Sequence, residues 1–195
     1  GSFASERARV LAREAEEWST QHIVAALPED IPTIDISDWR RRGGEPDSAL
    51  VDQLRDACEQ AGFYSLVGHG FSKTLRDEMF EFTKRFHALP LDIKAEIQMD
   101  QPGNPGGIGY LALMNRKLPA RANGNENEAF LVKRDIGLAL EGNLYPLESS
   151  LPGFRHAVAQ YANALEALGK RLLPLYAASL DMPADFFASA FTHPL

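Results

Sequence analysis

Residues 57–70, Ala57-Cys58-Glu59-Gln60-Ala61-Gly62-Phe63-Tyr64-Ser65-Leu66-Val67-Gly68-His69-Gly70, pass from a helix-type pattern to a strand-type pattern within a few positions. Ahead of them, Leu50, Leu54, Ala57, Cys58 and Ala61 recur at spacings of three and four, which predicts one buried helical face. Gly62 is placed to end that helix, because glycine takes the left-handed backbone of a C-terminal cap without a steric penalty. Phe63 to Val67 is aromatic and β-branched and predicts a strand, which Gly68-His69-Gly70 ends in a turn. On this pattern Cys58 falls on the apolar face as a buried, inert thiol.

Upstream, Pro28 and Pro32 bracket a loop, and Thr33-Ile34-Asp35-Ile36-Ser37 alternates like a short strand. Earlier still, residues 5–18 predict a surface helix with a narrow stripe of Val10, Leu11, Ala15 and Trp18. Downstream, Ser72 caps a helix whose buried positions are Leu75, Met79, Phe82 and Phe86, and Leu89-Pro90 stops it. A short helical turn spans Asp92 to Ile97. Gln101 to Gly109 then holds two prolines and four glycines in nine residues and reads as a loop. Tyr110 leads into a strand over Leu111-Ala112-Leu113, and Ala129 to Asp135 predicts another, with Phe130 and Val132 on one side. Phe154, Val158, Tyr161, Leu165, Leu168, Leu172 and Leu175 step by 4, 3, 4, 3, 4, 3, a continuous seam along one long helix that Pro174 should bend near Lys170. Asp181-Met182-Pro183 ends it, and Pro183 to Phe191 reads as one more short helix.

This is an α+β pattern, mostly helical, with at least five helices and about four short strands in no regular βα alternation. Isolated short strands do not make a stable sheet, so they call for further strands. The 195 residues carry 20 Lys+Arg against 27 Asp+Glu, a net charge of −7, which disfavours nucleic acid or an anionic membrane as a partner. One cysteine excludes an internal disulfide framework. With no apolar run near the length of a membrane span and no leader pattern, a cytoplasmic protein is expected.

The chemistry-bearing residues form no site on their own. A facial iron site needs two histidines and a carboxylate, commonly with an acid two residues after the first histidine. The residues two after His22, His69, His87, His156 and His193 are Val24, Phe71, Leu89, Val158 and Leu195. There is no His-Glu-x-x-His pattern and no Gly-x-Ser-x-Gly elbow. The glycines from Gly103 to Gly109 lack the Lys-Ser/Thr ending of a phosphate loop and read as a wall or lid. His69 reads as a turn histidine bonded to backbone, and His87 and His156 as solvated or cap-like. No catalytic or metal-binding residue is therefore assigned within this chain.

A family resemblance supplies what the site chemistry does not. Ile31-Pro32-Thr33-Ile34-Asp35-Ile36-Ser37 resembles the opening strand of the isopenicillin N synthase-like iron(II)/2-oxoglutarate dioxygenases. Ala57-Cys58, Gly62-Phe63-Tyr64 and His69-Gly70 follow in the order of that group's signature. Phe86, Leu89-Pro90 and Lys94 come next, then Gly109-Tyr110, Glu128 with Phe130, Asn143 to Pro146 with Tyr145 in place of Trp, Pro152 to Arg155, and Phe186-Phe187.

The resemblance implies an oxidoreductase whose N-terminal half packs against, and lends strands to, a double-stranded β-helix (jelly roll). It implies a division into an extension over 1–30 and a helical dioxygenase region over 31–195 that stops before the catalytic barrel. The Fe(II) ligands and the residues holding the cosubstrate 2-oxoglutarate are expected in that barrel, with these 195 residues inactive alone. The reaction implied is oxidative decarboxylation of 2-oxoglutarate coupled to oxidation of a small-molecule substrate. From this half, Tyr110, Asn104, Ile108 and Phe130 are the candidates for the substrate-pocket rim, with a plain core role open for Tyr110 and Phe130. Asp35, Glu128 and Asn143 are expected to be structural. The apolar face would be covered by the C-terminal half or by another chain. The alternative is a non-catalytic interaction module derived from the same family, which would bind neither iron nor 2-oxoglutarate.

Overall fold

The computed structural model describes residues 30–44, 47–99, 101–102, 107–115, 127–133 and 142–192. The helix expected over 5–18, the pocket candidate Asn104, and His22 and His193 lie outside them. Strand β1 (Thr33–Asp35) leads into a short helix α1 (Ser37–Arg41), and α2 (Ser48–Asp56) continues as a π-helical turn over Ala57–Ala61. Strand β2 (Ser65–Val67) precedes α3 (Lys73–His87) and the single turn α4 (Leu91–Ala95). Strands β3 (Gly109–Leu111) and β4 (Ala129–Leu131) lead to the long helix α5 (Phe154–Ser179). The α+β mixture and the main helix placements follow the sequence pattern.

Local chemistry sets these boundaries. The Asp47 carboxylate accepts the Leu50 N–H at 2.9 Å and starts α2. The Ser72 hydroxyl accepts the Leu75 N–H at 3.2 Å and starts α3, which ends at His87 three residues before Pro90. The Glu148 carboxylate takes the Gly153 N–H at 2.6 Å at the entry to α5.

The sheets are small. β1 and β2 pair in parallel, with Ile34 opposite Leu66. β3 and β4 pair antiparallel, with Tyr110 opposite Phe130. The core has two centres that α5 connects. One holds Ile34, Ile36, Trp39, Leu54 and, from the far end of α5, Leu175. The other holds Phe82, Phe86, Ile97, Tyr110 and, from the near end of α5, Phe154 and Val158. Between those ends the seam is open: Tyr161, Leu168 and Leu172 are half-buried and Leu165 is exposed.

Four expectations change. Cys58 is exposed rather than buried. The Gly62 N–H bonds the Ala57 carbonyl at 3.0 Å, five residues back, and this wider turn carries Cys58 off the α2 stripe. Phe63 stands outside β2 and is exposed. β3 starts at Gly109 and ends at Leu111, where its pairing with β4 stops opposite Ala129, leaving Leu113 exposed; the Tyr110 N–H and carbonyl bond Ile97 and Met99 on the other edge at 2.8 Å each. Residues 183–191 form successive turns rather than a helix, closed by bonds such as Phe186 N–H to the Pro183 carbonyl at 2.9 Å.

Candidate functional site

β4 and α5 border a surface with a hollow on either side, and the sequence candidate Phe130 reaches it. On one side lies an apolar hollow of about 380 Å³ lined by Met79, Phe86, Phe130, Phe154, Tyr161 and Leu165 among others. On the other lies a larger, more polar groove of about 710 Å³, with Asn143, Tyr145, Arg155, Ala162 and Lys170 in its lining. Val132, Val158 and Ala162 line both, so the end of β4 and the middle of α5 form the ridge between them. Strand alternation places Glu128, Phe130 and Val132 on one face of β4. The Phe130 ring packs on Phe86 at 4.8 Å, Phe154 at 5.1 Å and Tyr145 at 5.7 Å between centroids.

The sheet has a definite open edge. The Tyr110 backbone bonds to residues 97 and 99, away from β4, with a parallel bridge between Gln98 and Tyr110. Tyr110 and Phe130 are therefore a non-hydrogen-bonded pair, and the Phe130 N–H and carbonyl face outward. Among the described residues nothing pairs with that edge of β4. Two residues after β4, the Asn143 side chain accepts the Lys133 N–H and donates to the Lys133 carbonyl, both at 2.7 Å. A side-chain amide thus stands in for a neighbouring strand where β4 ends.

Behind Phe130 lies a charged cluster that sequence reading alone does not assemble. The buried Lys94 donates from Nζ to the His87 carbonyl at 2.9 Å and to Glu128 Oε1 at 2.7 Å. The Tyr110 hydroxyl donates to the same Oε1 at 2.7 Å, and Nζ sits 5.2 Å from the centroid of the Tyr110 ring. His87 Nδ1 lies 3.3 Å from Glu128 Oε2. Burial pushes the Glu128 carboxyl up, but the hydrogen bonds from Lys94 and Tyr110 and the charges of Lys94 and His87 outweigh it, leaving it below its ordinary value. Burial, reinforced by the Glu128 carboxylate, pushes the Tyr110 hydroxyl up to about 12. Both remain in their ordinary neutral-pH states, Glu128 ionised and Tyr110 protonated.

The sequence candidates separate accordingly. Ile108 and Tyr110 are buried, and Tyr110 uses its hydroxyl inside the cluster. Phe130 is half-buried and lines the apolar hollow. His69 behaves as a turn histidine, its Nδ1 accepting the Phe71 N–H at 2.9 Å, while its carbonyl accepts from Arg171 at 3.2 Å. His156 is exposed, but His87 is held in the cluster rather than solvated. Asp35 accepts the Ser37 N–H at 2.8 Å, which closes the turn after β1, and the Ser37 hydroxyl together with that N–H holds its carboxyl below the usual range. Among the described residues no group of three or more His, Cys, Asp or Glu side chains could hold a metal ion. Among those same residues no donor set fits iron, and no helix is long and apolar enough to cross a membrane.

Comparison with known proteins gives this geometry a lineage. Residues 31–143 match the family model described as non-haem dioxygenase in morphine synthesis N-terminal. The chain is 30% identical over 167 residues to the 2-oxoglutarate-dependent dioxygenase ecdK of Aspergillus rugulosus, covering 80% of this chain and 50% of that protein. It is 31% identical over 176 residues to the 2-oxoglutarate-dependent dioxygenase tropC of Talaromyces stipitatus, covering 85% and 52%. The chain therefore spans about half the length of these curated relatives. In fold it resembles a full-length Neurospora crassa protein crystallised in complex with alpha-KG, with a TM-score of 0.65 at 22% identity over 87% of this chain and 54% of that one. A putative 2OG-Fe(II) oxygenase family protein from Caulobacter crescentus is similar in the same way, with a TM-score of 0.61 at 21% identity over 81% of this chain and 51% of that one.

Proposed function

Because the chain belongs to the non-haem dioxygenase N-terminal family, we propose that it is the N-terminal half of an iron(II)- and 2-oxoglutarate-dependent oxygenase acting on a small molecule. The observation that carries this reading is the outward-facing edge of β4, flanked by an apolar hollow and a polar groove. A strand with a free edge adds another strand readily, and an open apolar seam on α5 needs a cover. In this reading the catalytic barrel supplies both. Iron and 2-oxoglutarate are held there, and when bound they supply the oxidising chemistry. These residues supply the scaffold: α5 carries the barrel, and β4 with Phe130 borders the substrate space. Ile108 and Tyr110 set the backbone behind that border. Asn104 is proposed for the same rim.

The test uses the whole natural polypeptide, purified without oxygen and supplied with iron(II). It should bind 2-oxoglutarate and, on exposure to oxygen, convert it slowly to succinate even without added substrate. Residues 1–195 alone should do neither. A whole polypeptide that binds no 2-oxoglutarate would overturn the oxygenase reading in favour of an interaction module.

A further inference from the structure

Glu128 stands one residue before β4 and two before Phe130, and its carboxylate is reached from three directions. Lys94 comes from α4, Tyr110 from β3 and His87 from the end of α3. Lys94 is spent within the cluster, bridging the His87 carbonyl and Glu128 beside the Tyr110 ring. We infer that Glu128 is a positioning residue, a clasp that fixes where Phe130 stands at the wall of the substrate space. This inference rests on the proposed function, in which β4 borders that space.

Three arguments lead from the clasp to Phe130. β4 has only three residues and pairs with only one strand among those described, so its own ladder holds it weakly. A slip of one residue would turn Phe130 to the opposite face, and the clasp prevents this because Glu128 shares Phe130's face. An apolar cluster of the same volume would serve stability about as well as a buried ion pair. Directional bonds from Lys94 and Tyr110 to one oxygen add geometry, which an apolar cluster would not. The aromatic contacts of Phe130 with Phe86, Phe154 and Tyr145 then follow from where the clasp sets the strand.

The experiment places 4-fluorophenylalanine at position 130 of the whole natural polypeptide and records its fluorine resonance. Tyr110→Phe and Glu128→Leu should move or split that resonance. Glu128→Gln, which keeps an acceptor for both donors, should restore a single line close to the parent's. Leu54→Val, in the other core centre, lowers stability without touching the clasp and should leave the line in place. An unmoved resonance in folded Glu128→Leu, or an equal movement in Leu54→Val, would overturn the inference. If Glu128→Leu does not fold, Tyr110→Phe decides, since it removes one hydroxyl. Failure of the underlying reading shows separately: a parent protein that neither binds nor consumes 2-oxoglutarate removes the substrate wall, while the resonance still reports on the clasp.

Discussion

Lys94 and Glu128 should be energetically coupled far more strongly than a surface ion pair. The Lys94 side chain is 8% exposed and that of Glu128 29%, so the pair is screened only from the Glu128 side. Glu128→Leu leaves a buried ammonium with only the His87 carbonyl and takes the acceptor from Tyr110. Stranding a buried charge costs about 3 kcal/mol or more, and the unsatisfied hydroxyl about 1 kcal/mol, giving about 4 kcal/mol. Lys94→Met keeps most of the stem's packing, and Glu128 retains Tyr110, His87 and some water, so the loss should be about 2 kcal/mol. In the double variant no charge is stranded. What remains is a His87 carbonyl without its donor and a Tyr110 hydroxyl without its acceptor, about 3 kcal/mol in all against a sum of about 6 kcal/mol. The double variant should thus be more stable than Glu128→Leu alone. Urea unfolding of the four proteins, with unchanged m, measures this directly. A double variant within about 0.5 kcal/mol of the sum of the singles would refute the coupling.

Gly109 and Gly62 both have positive φ, at 95° and 79°, yet alanine should act very differently at the two. A Cβ on Gly109 would run into the Ile97 carbonyl oxygen and disrupt the bridge to Tyr110, whereas one on Gly62 meets nothing, so Gly62→Ala should cost only about 1 kcal/mol of backbone strain and Gly109→Ala clearly more. Thermal unfolding of the two variants gives that order. Cys58, exposed on the π turn, should be alkylated by iodoacetamide in native protein at about the rate of an unfolded control; protection until unfolding would place it back on the buried face. The Glu128 carboxyl is lowered from about 4.5, so its contribution is complete above that value and is lost as pH falls through the lower folded value. Tyr110 is raised, so its contribution holds below about 10 and is lost as pH rises towards 12. The stability difference between parent and Glu128→Gln should therefore be constant between about pH 5 and 9 and shrink on the acid side.

What could be read from the residues was whatever local spacing determines. Leu50 and Leu54, or Phe82 and Phe86, recur four apart, and the helices bury them as that period requires. Gly62 caps its helix and His69 closes its turn, because both depend on the adjacent backbone alone. The α5 seam was legible as apolar, but periodicity carries no information about which part of a stripe is covered. Phe154 and Leu175 meet the two core centres, while Leu165 between them faces outward. Cys58 misled for a related reason. The five-residue hydrogen bond at Gly62 replaces the ordinary helical register at the end of α2, and no single residue type announces that change.

The clasp was the least legible feature, since it joins Lys94 to Glu128 across 34 residues and combines a carbonyl and an imidazole from the end of α3 with a phenol from β3. Each of those residues has an ordinary local reading, Lys94 as a helix-surface lysine and Glu128 as an acid at a strand end. Only the fold raises the cost of leaving any one unpaired. That asymmetry makes a buried polar cluster a sharper determinant of geometry than the aromatic packing around it. A ring can slide against Phe86 and Phe154 at small cost, but Oε1 of Glu128 satisfies two donors only in a narrow range of strand positions. The position of Phe130, and with it the shape of the apolar hollow, is therefore expected to depend more on Glu128 than on the neighbouring aromatic rings.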